Sequence, residues 1–280
     1  MTTRLIVSCP DRPGIVAAVS GFLSRSGANL LTSSQYTSAG PDASFFLRVE
    51  FDGEIDNALF AEQIADPYAM DWRTWVAGRP KRIAVLVSRY EHCLLDLLWR
   101  DRRGDFEGRI GLVASNHRDA APDAEAFGVP FRHVPVPARA DGSGKAESET
   151  HLLELLAGQF DLIVLARYMQ ILSADFLERV GAPVINIHHS FLPAFAGADP
   201  YSRAKERGVK LIGATAHYVT AELDAGPIIE QDVERVTHAD DVSALEHAGA
   251  DVERIVLSRA VRWHCEDRII RAADNTTIVF

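Results

Sequence analysis

Hydrophobic and polar positions change period repeatedly along this chain. In its first part, short β-branched and apolar runs read as strands: "TRLIVSC", "ANLLTSSQYT", "ASFFLRVEF" and a stretch near 71–77. Two segments between them repeat at helical spacing. One follows "DRPG", with Ile15, Val16, Val19 and Phe22 on a single face, Pro13 suited to a first helical turn and Gly27 to the helix end; the other spans about 55–66. With turn residues at 38–42, the predicted order is β-α-β-β-α-β, a ferredoxin-like split βαβ domain over residues 1–78.

After a linker at 79–82 the pattern changes. "RIAVLVS", "GRIGLVAS", "FRHVPV", "DLIVLA" and "APVINI" are nearly continuous apolar runs, as expected of strands covered on both faces. Helical stretches alternate with them: "EHCLLDLLWRD", a short one at 123–127, "KAESETHLLELLAGQ" and "SADFLERV". This predicts an α/β second domain, 83–280, with a doubly wound, mostly parallel, Rossmann-like sheet whose ligands bind beyond the carboxyl ends of the strands. "KLIGATAHYVT" and "IIEQDVERV" read as two further strands, and 241–267 as a long helix with "EHAGADVER" on its exposed face.

Composition narrows the class. A chain of 280 residues, 47% hydrophobic and 24% charged, is globular and long enough for two cores. The net charge of −10 and the lack of a Lys/Arg block argue against a nucleic-acid partner. No apolar run approaches the roughly 18 residues of a membrane span. Cys9, Cys93 and Cys265 form no CxxC pair and read as packing residues of a cytoplasmic protein. The first βα turn of the second domain lacks G-x-G-x-x-G, and no GxxxxGK[ST] occurs, so neither NAD nor a nucleoside triphosphate is expected.

The polar end of "VINIHH" is what a strand core does not need. Strand alternation turns Asn186 and His188 to one face and His189 to the other, and Asp224 lies on a loop between two later strands, next but one to Gly226. An amide N–H and an imidazolium N–H aimed at one carbonyl oxygen would stabilise the charge built up when water attacks an amide; one such donor contributes about 2.7–4 kcal/mol to the barrier. A carboxylate nearby would favour charged His188 and relay a proton through water. Structural alternatives stand beside this: a satisfied strand-end histidine, and Asp224 as a turn former. A metal site built on His188, His189 and His217 is disfavoured, because adjacent strand residues face opposite ways.

Two resemblances add to this reading. "CPDRPGIVAAVSGFLSRSGANLL" resembles the opening of an ACT domain, an amino-acid-sensing module. The resemblance implies that Asp11, Arg12, Pro13, Gly14 and Asn29 hold an effector such as glycine or methionine, and that the chain forms a homo-oligomer, a dimer or tetramer; the alternative is a dimerisation platform with Asp11 a simple cap. N-x-H followed by S-F-L-P, with D-x-G-P further on, resembles the folate-dependent formyltransferases, and together with "RAVRWHCEDR" and the ACT module it resembles the formyltetrahydrofolate deformylases among them.

That family hydrolyses 10-formyltetrahydrofolate to formate and tetrahydrofolate, feeding purine synthesis and balancing the one-carbon pool. The resemblance implies that Asn186, His188 and Asp224 surround the formyl group, with His217 and Gly226 close by and no cofactor or metal. "ARYMQILSADFLERV" matches the pterin pocket, which implies substrate contacts for Met169, Gln170, Ile171, Leu172, Phe176 and Leu177, with core packing as the alternative for each. Ala196 and Asp199 replace two lysines of the family pattern. The other functions in view are a phosphoribosylglycinamide-type formyltransferase, whose glycine-rich phosphate loop is absent from "SRYEHCLLDLL", and a non-catalytic ACT sensor.

Overall fold

The computed structural model describes residues 1–138, 143–192 and 200–280, and its contacts divide into two units, Met1–Arg79 with Glu266–Phe280, and Pro80–Cys265. In the first unit, β1 (Thr2–Pro10), α1 (Ile15–Arg25), β2 (Asn29–Thr37), β3 (Ser44–Asp52), α2 (Asn57–Phe60, prolonged by a π turn at Ala61–Ala65) and β4 (Asp71–Val76) follow the predicted order. They build an antiparallel sheet ordered β2-β3-β1-β4. Alternation turns Leu5, Val7, Val49 and Phe51 to one face, where Ile15, Val19, Phe22 and Phe60 close a core over them. Gly14, with φ 95°, is the N-cap of α1, so Pro13 lies in the preceding turn and not in the first helical turn. Gly27, with φ 77°, ends that helix as expected.

In the second unit β5 (Lys81–Val87), α3 (His92–Arg103), β6 (Gly108–Ser115), α4 (Ala121–Ala126), β7 (Phe131–His133), α5 (Ser143–Leu156), β8 (Leu162–Ala166), α6 (Ala174–Val180) and β9 (Val184–His188) alternate as the apolar runs predict. Then come α7 (Pro200–Arg207), which the sequence reading did not anticipate, β10 (Leu211–Tyr218), β11 (Ile228–Arg235) and α8 (Val242–Cys265). The sheet is ordered β11-β10-β9-β8-β5-β6-β7, parallel from β9 to β7, with β10 and β11 antiparallel at one edge. On one face, Leu152 and Leu156 of α5 and Phe176 and Val180 of α6 pack on Leu86, Ala114 and Leu165. Strand order reverses between β5 and β8, so the carboxyl ends of β5, β8 and β9 open onto the crevice where such sheets bind ligands.

The tail departs from the expected domain limit of 83–280. Glu266–Phe280 groups with the first unit, for a visible reason. The second face of its sheet carries Ile6 and Phe46, and a hairpin of β12 (Ile269–Arg271) and β13 (Thr277–Val279) brings Ile270, Ile278 and Phe280 onto them. Arg48 donates to the carbonyls of Glu266 and Asp267, both at 2.9 Å.

Candidate active site

β9 and β10 together position the polar set. His217 lies directly across from Asn186, and Thr215 from His188. His217 Nδ1 is 2.9 Å from the Tyr218 carbonyl, which can only accept, so Nδ1 carries the proton and Nε2 accepts from Asn186 Nδ2 at 3.2 Å. Burial lowers the His217 pKa, against the Tyr218 bond and the Asp224 charge, so this ring is a neutral prop for the Asn186 amide.

Asp224 reaches the same place from the β10–β11 connection. Its Oδ2 is 3.4 Å from His188 Nδ1 and its Oδ1 3.7 Å from His217 Nε2. The loop is held by the Tyr218 amide donating to Pro227 O at 2.9 Å and by a bulge between Ala216 and His217. Asp224 has φ 54°, a left-handed conformation that Asp tolerates better than most residues. Gly226 is there for space: a Cβ would overlap the Tyr218 carbonyl oxygen.

His188 differs from expectation in its charge. Burial lowers its pKa; the Asp224 carboxylate opposes this, while His217 and Arg167 add to it, and the net direction is downward. At neutral pH the ring is neutral, not an imidazolium. Nδ1 faces a carboxylate that only accepts, which puts the proton there and leaves Nε2 as the lone-pair nitrogen; Nε2 is buried without a hydrogen-bond partner among the described residues. His189 follows the last strand residue, so alternation does not turn it away: its ring stacks on His188 at 5.0 Å. Its pKa is lowered to about 4, by burial first and then by Arg167 and His188.

The six residues expected to form a pterin pocket divide. Met169 and Ile171 are 52% and 61% exposed, and Gln170 is half-buried. Phe176 is fully buried and Leu172 nearly so, both within the sheet core, and Leu177 packs against it, which supports the core-packing alternative for these three. The effector set Asp11, Arg12, Pro13, Gly14 and Asn29 is solvent-exposed. Arg12 is already engaged there: its guanidinium lies 4.0 Å above the Tyr68 ring and donates to Pro67 O. Ala196 and Asp199 lie outside the described residues.

Sequence reasoning missed a second polar group. Glu253, expected on the exposed face of α8, is 1% exposed. It accepts from the Tyr201 hydroxyl at 3.0 Å, lies 2.7 Å from His92 Nε2, and pairs with Arg167 Nε at 3.5 Å. Gly249, one turn earlier on α8, gives Tyr201 room, since a Cβ there would overlap the phenol.

With the geometry in hand, comparison places the chain. A formyl transferase family profile matches residues 81–261 and an ACT domain profile residues 3–66. The chain is 54% identical to the formyltetrahydrofolate deformylase of Mycobacterium tuberculosis over 99% of its own length and 90% of the relative's, and 51% identical to that of Bacillus subtilis over 99% and 93%. A crystal structure of a formyltetrahydrofolate deformylase from Pseudomonas syringae pv. tomato superposes with a TM-score of 0.91 at 45% identity, covering 100% of this chain and 94% of that one. The chain, an ACT domain joined to a formyl transferase domain, belongs to the formyltetrahydrofolate deformylase family.

Proposed function

We propose that this chain hydrolyses 10-formyltetrahydrofolate to formate and tetrahydrofolate, adjusting the one-carbon pool and supplying formate for purine synthesis. The observation that carries the reading is the Asp224 carboxylate standing between His188 and His217, with Asn186 across the strand pair. In this mechanism the Asn186 amide, oriented by His217, donates to the formyl oxygen and stabilises it as attack builds negative charge there. Neutral His188 takes the proton of the attacking water at Nε2, and Asp224 stabilises the imidazolium that forms, as the carboxylate does in a hydrolytic triad. Collapse breaks the C–N bond; His188 returns its proton to the departing nitrogen, and formate leaves as the anion after giving its own proton to solvent. Met169 and Ile171, exposed beside the end of β8, are the side chains available to the pterin ring.

The turn after β5 supports water over a phosphorylated amine as acceptor. It contains no glycine, and Glu91, a carboxylate, is the N-cap of α3, where a phosphate would otherwise be favoured. Regulation by an amino acid such as glycine or methionine at the ACT domain belongs to the same proposal, as does work in a reducing cytoplasm, supported by three buried free thiols. No helix among the described residues is long and apolar enough to cross a membrane. A homo-oligomer is supported by β2, an edge strand exposed along nearly its whole length with Leu30, Leu31 and Tyr36 facing solvent. Incubating the purified chain with 10-formyltetrahydrofolate and no amine tests the function: formate and tetrahydrofolate in equal amounts are expected. Formyl transfer seen only when an amine is added would replace hydrolysis by the transferase reading, and no turnover would leave the sensor.

A further inference from the structure

The polar group around Glu253 is not used by the mechanism above. His92, Cys93 and Glu253 bring donor atoms within 4.8 Å of one another, which resembles a ligand set. Its chemistry is otherwise: both Glu253 oxygens already accept or pair, and burial pushes the Cys93 thiol well above its ordinary value, away from the thiolate a metal requires. What Glu253 holds is Arg167, which directly follows the last residue of β8.

The parallel register of β8 with β9 runs as far as Leu165 opposite Asn186, and Arg167 follows two residues later, just past the end of β8. Its φ of 61° is left-handed, an uncommon and costly conformation for an arginine, of the kind that collects at functional sites. The side chain is only 9% exposed, its guanidinium 4.8 Å over the Tyr90 ring and its Nε 3.5 Å from Glu253. Nη1 is buried without a hydrogen-bond partner among the described residues, and so is His188 Nε2. The guanidinium charge is felt by both His188 and His189, where it adds to burial in lowering the pKa.

We propose that Arg167 Nη1 and His188 Nε2 form a receiving site for a small carboxylate, the formate ion released by hydrolysis, with Glu253 holding the guanidinium from behind. The proposal rests on the hydrolase reading. A buried N–H left without an acceptor costs free energy, and a planar guanidinium matches a carboxylate in both geometry and charge. By the time the product forms, His188 Nε2 has returned its proton to the departing nitrogen; it takes the proton that formic acid sheds on the way to solvent and, while holding it, is the second donor to the bound formate.

The test uses the full chain, without folate, labelled with nitrogen-15 in its arginine side chains and titrated with carbon-13 formate at constant ionic strength held by sodium chloride. Formate is expected to shift one arginine Nε–H resonance saturably and to broaden its own line. The paired variant Arg167→Gln with Glu253→Gln, which keeps the buried charge balanced, is expected to bind formate about tenfold or more weakly. A wild-type chain whose arginine signals do not respond, a response reproduced by chloride alone, or a folded paired variant with unchanged affinity would overturn the site. Formate binding by a chain that does not cleave 10-formyltetrahydrofolate would sink the hydrolase reading, whereas cleavage without formate binding would sink only this site.

Discussion

The Asp224 carboxylate stands 3.4 Å from Nδ1 of His188, on the far side of the ring from Nε2, which has no hydrogen-bond partner among the described residues. That relationship sets the sign of a pH experiment. His188 acts in its neutral form, so activity falls on the acid side as the ring protonates, and its lowered pKa puts that limb below 6.5. Asp224 raises the His188 pKa, so Asp224→Asn moves the limb further toward acid while lowering kcat by roughly a hundredfold or more. A kcat/KM profile of the variant checks this; a limb moving to higher pH would contradict the pairing.

The loop carrying Asp224 has no room to adjust. Gly226→Ala would set a Cβ into the Tyr218 carbonyl oxygen, and relief requires the Asp224 segment to shift. A misplacement of about 1 Å can cost on the order of a hundredfold in rate. We expect Gly226→Ala to lower kcat by that order, with a far smaller change in KM for the folate, in steady-state kinetics.

Met169 and Phe176 lie a few positions apart but separate binding from packing. Met169→Ala is expected to raise KM while leaving the thermal midpoint nearly unchanged, because the side chain is half exposed. Phe176→Ala empties a fully buried position in the sheet core and is expected to cost about 3–5 kcal/mol in denaturant unfolding. Equal effects of the two on KM would return Phe176 to the pterin pocket.

Glu253 links stability to pH. Burial alone would push its carboxyl up; the His92 hydrogen bond, the Arg167 charge and the Tyr201 hydroxyl outweigh burial and hold it below 4.5. A depressed folded pKa means stability that is present above the unfolded value and lost as pH falls through the folded one. Glu253→Gln leaves Arg167 uncompensated and is expected to cost about 3 kcal/mol at neutral pH. In thermal unfolding across pH, the gap from wild type should narrow as the solution is acidified below about pH 4.

Element order was legible where periodicity was strong. The apolar runs of β5, β6, β8 and β9 could only be doubly covered strands, and the i, i+2 spacing of Asn186 and His188 put both on one face of β9. What stayed hidden depended on partners distant in the chain. Glu253 follows Val252 in a polar stretch; its burial shows only in the shared face of Gly249, Glu253 and Leu257, and the reason for it, Tyr201, lies on α7, a helix the sequence pattern did not announce. The tail carries Ile270, Ile278 and Phe280, too few for a periodicity, and nothing local says that Ile6 and Phe46 await them. The charge of His188 was misjudged because Asp224 was weighed without the burial that opposes it.

The acceptor of the formyl group is the central claim, and oxygen-18 water tests it most directly. Under single turnover of 10-formyltetrahydrofolate in labelled water, with no amine present, the account predicts formate carrying one oxygen-18 atom and tetrahydrofolate in equal amount. Unlabelled formate, or intact substrate after prolonged incubation with folded protein, would contradict it.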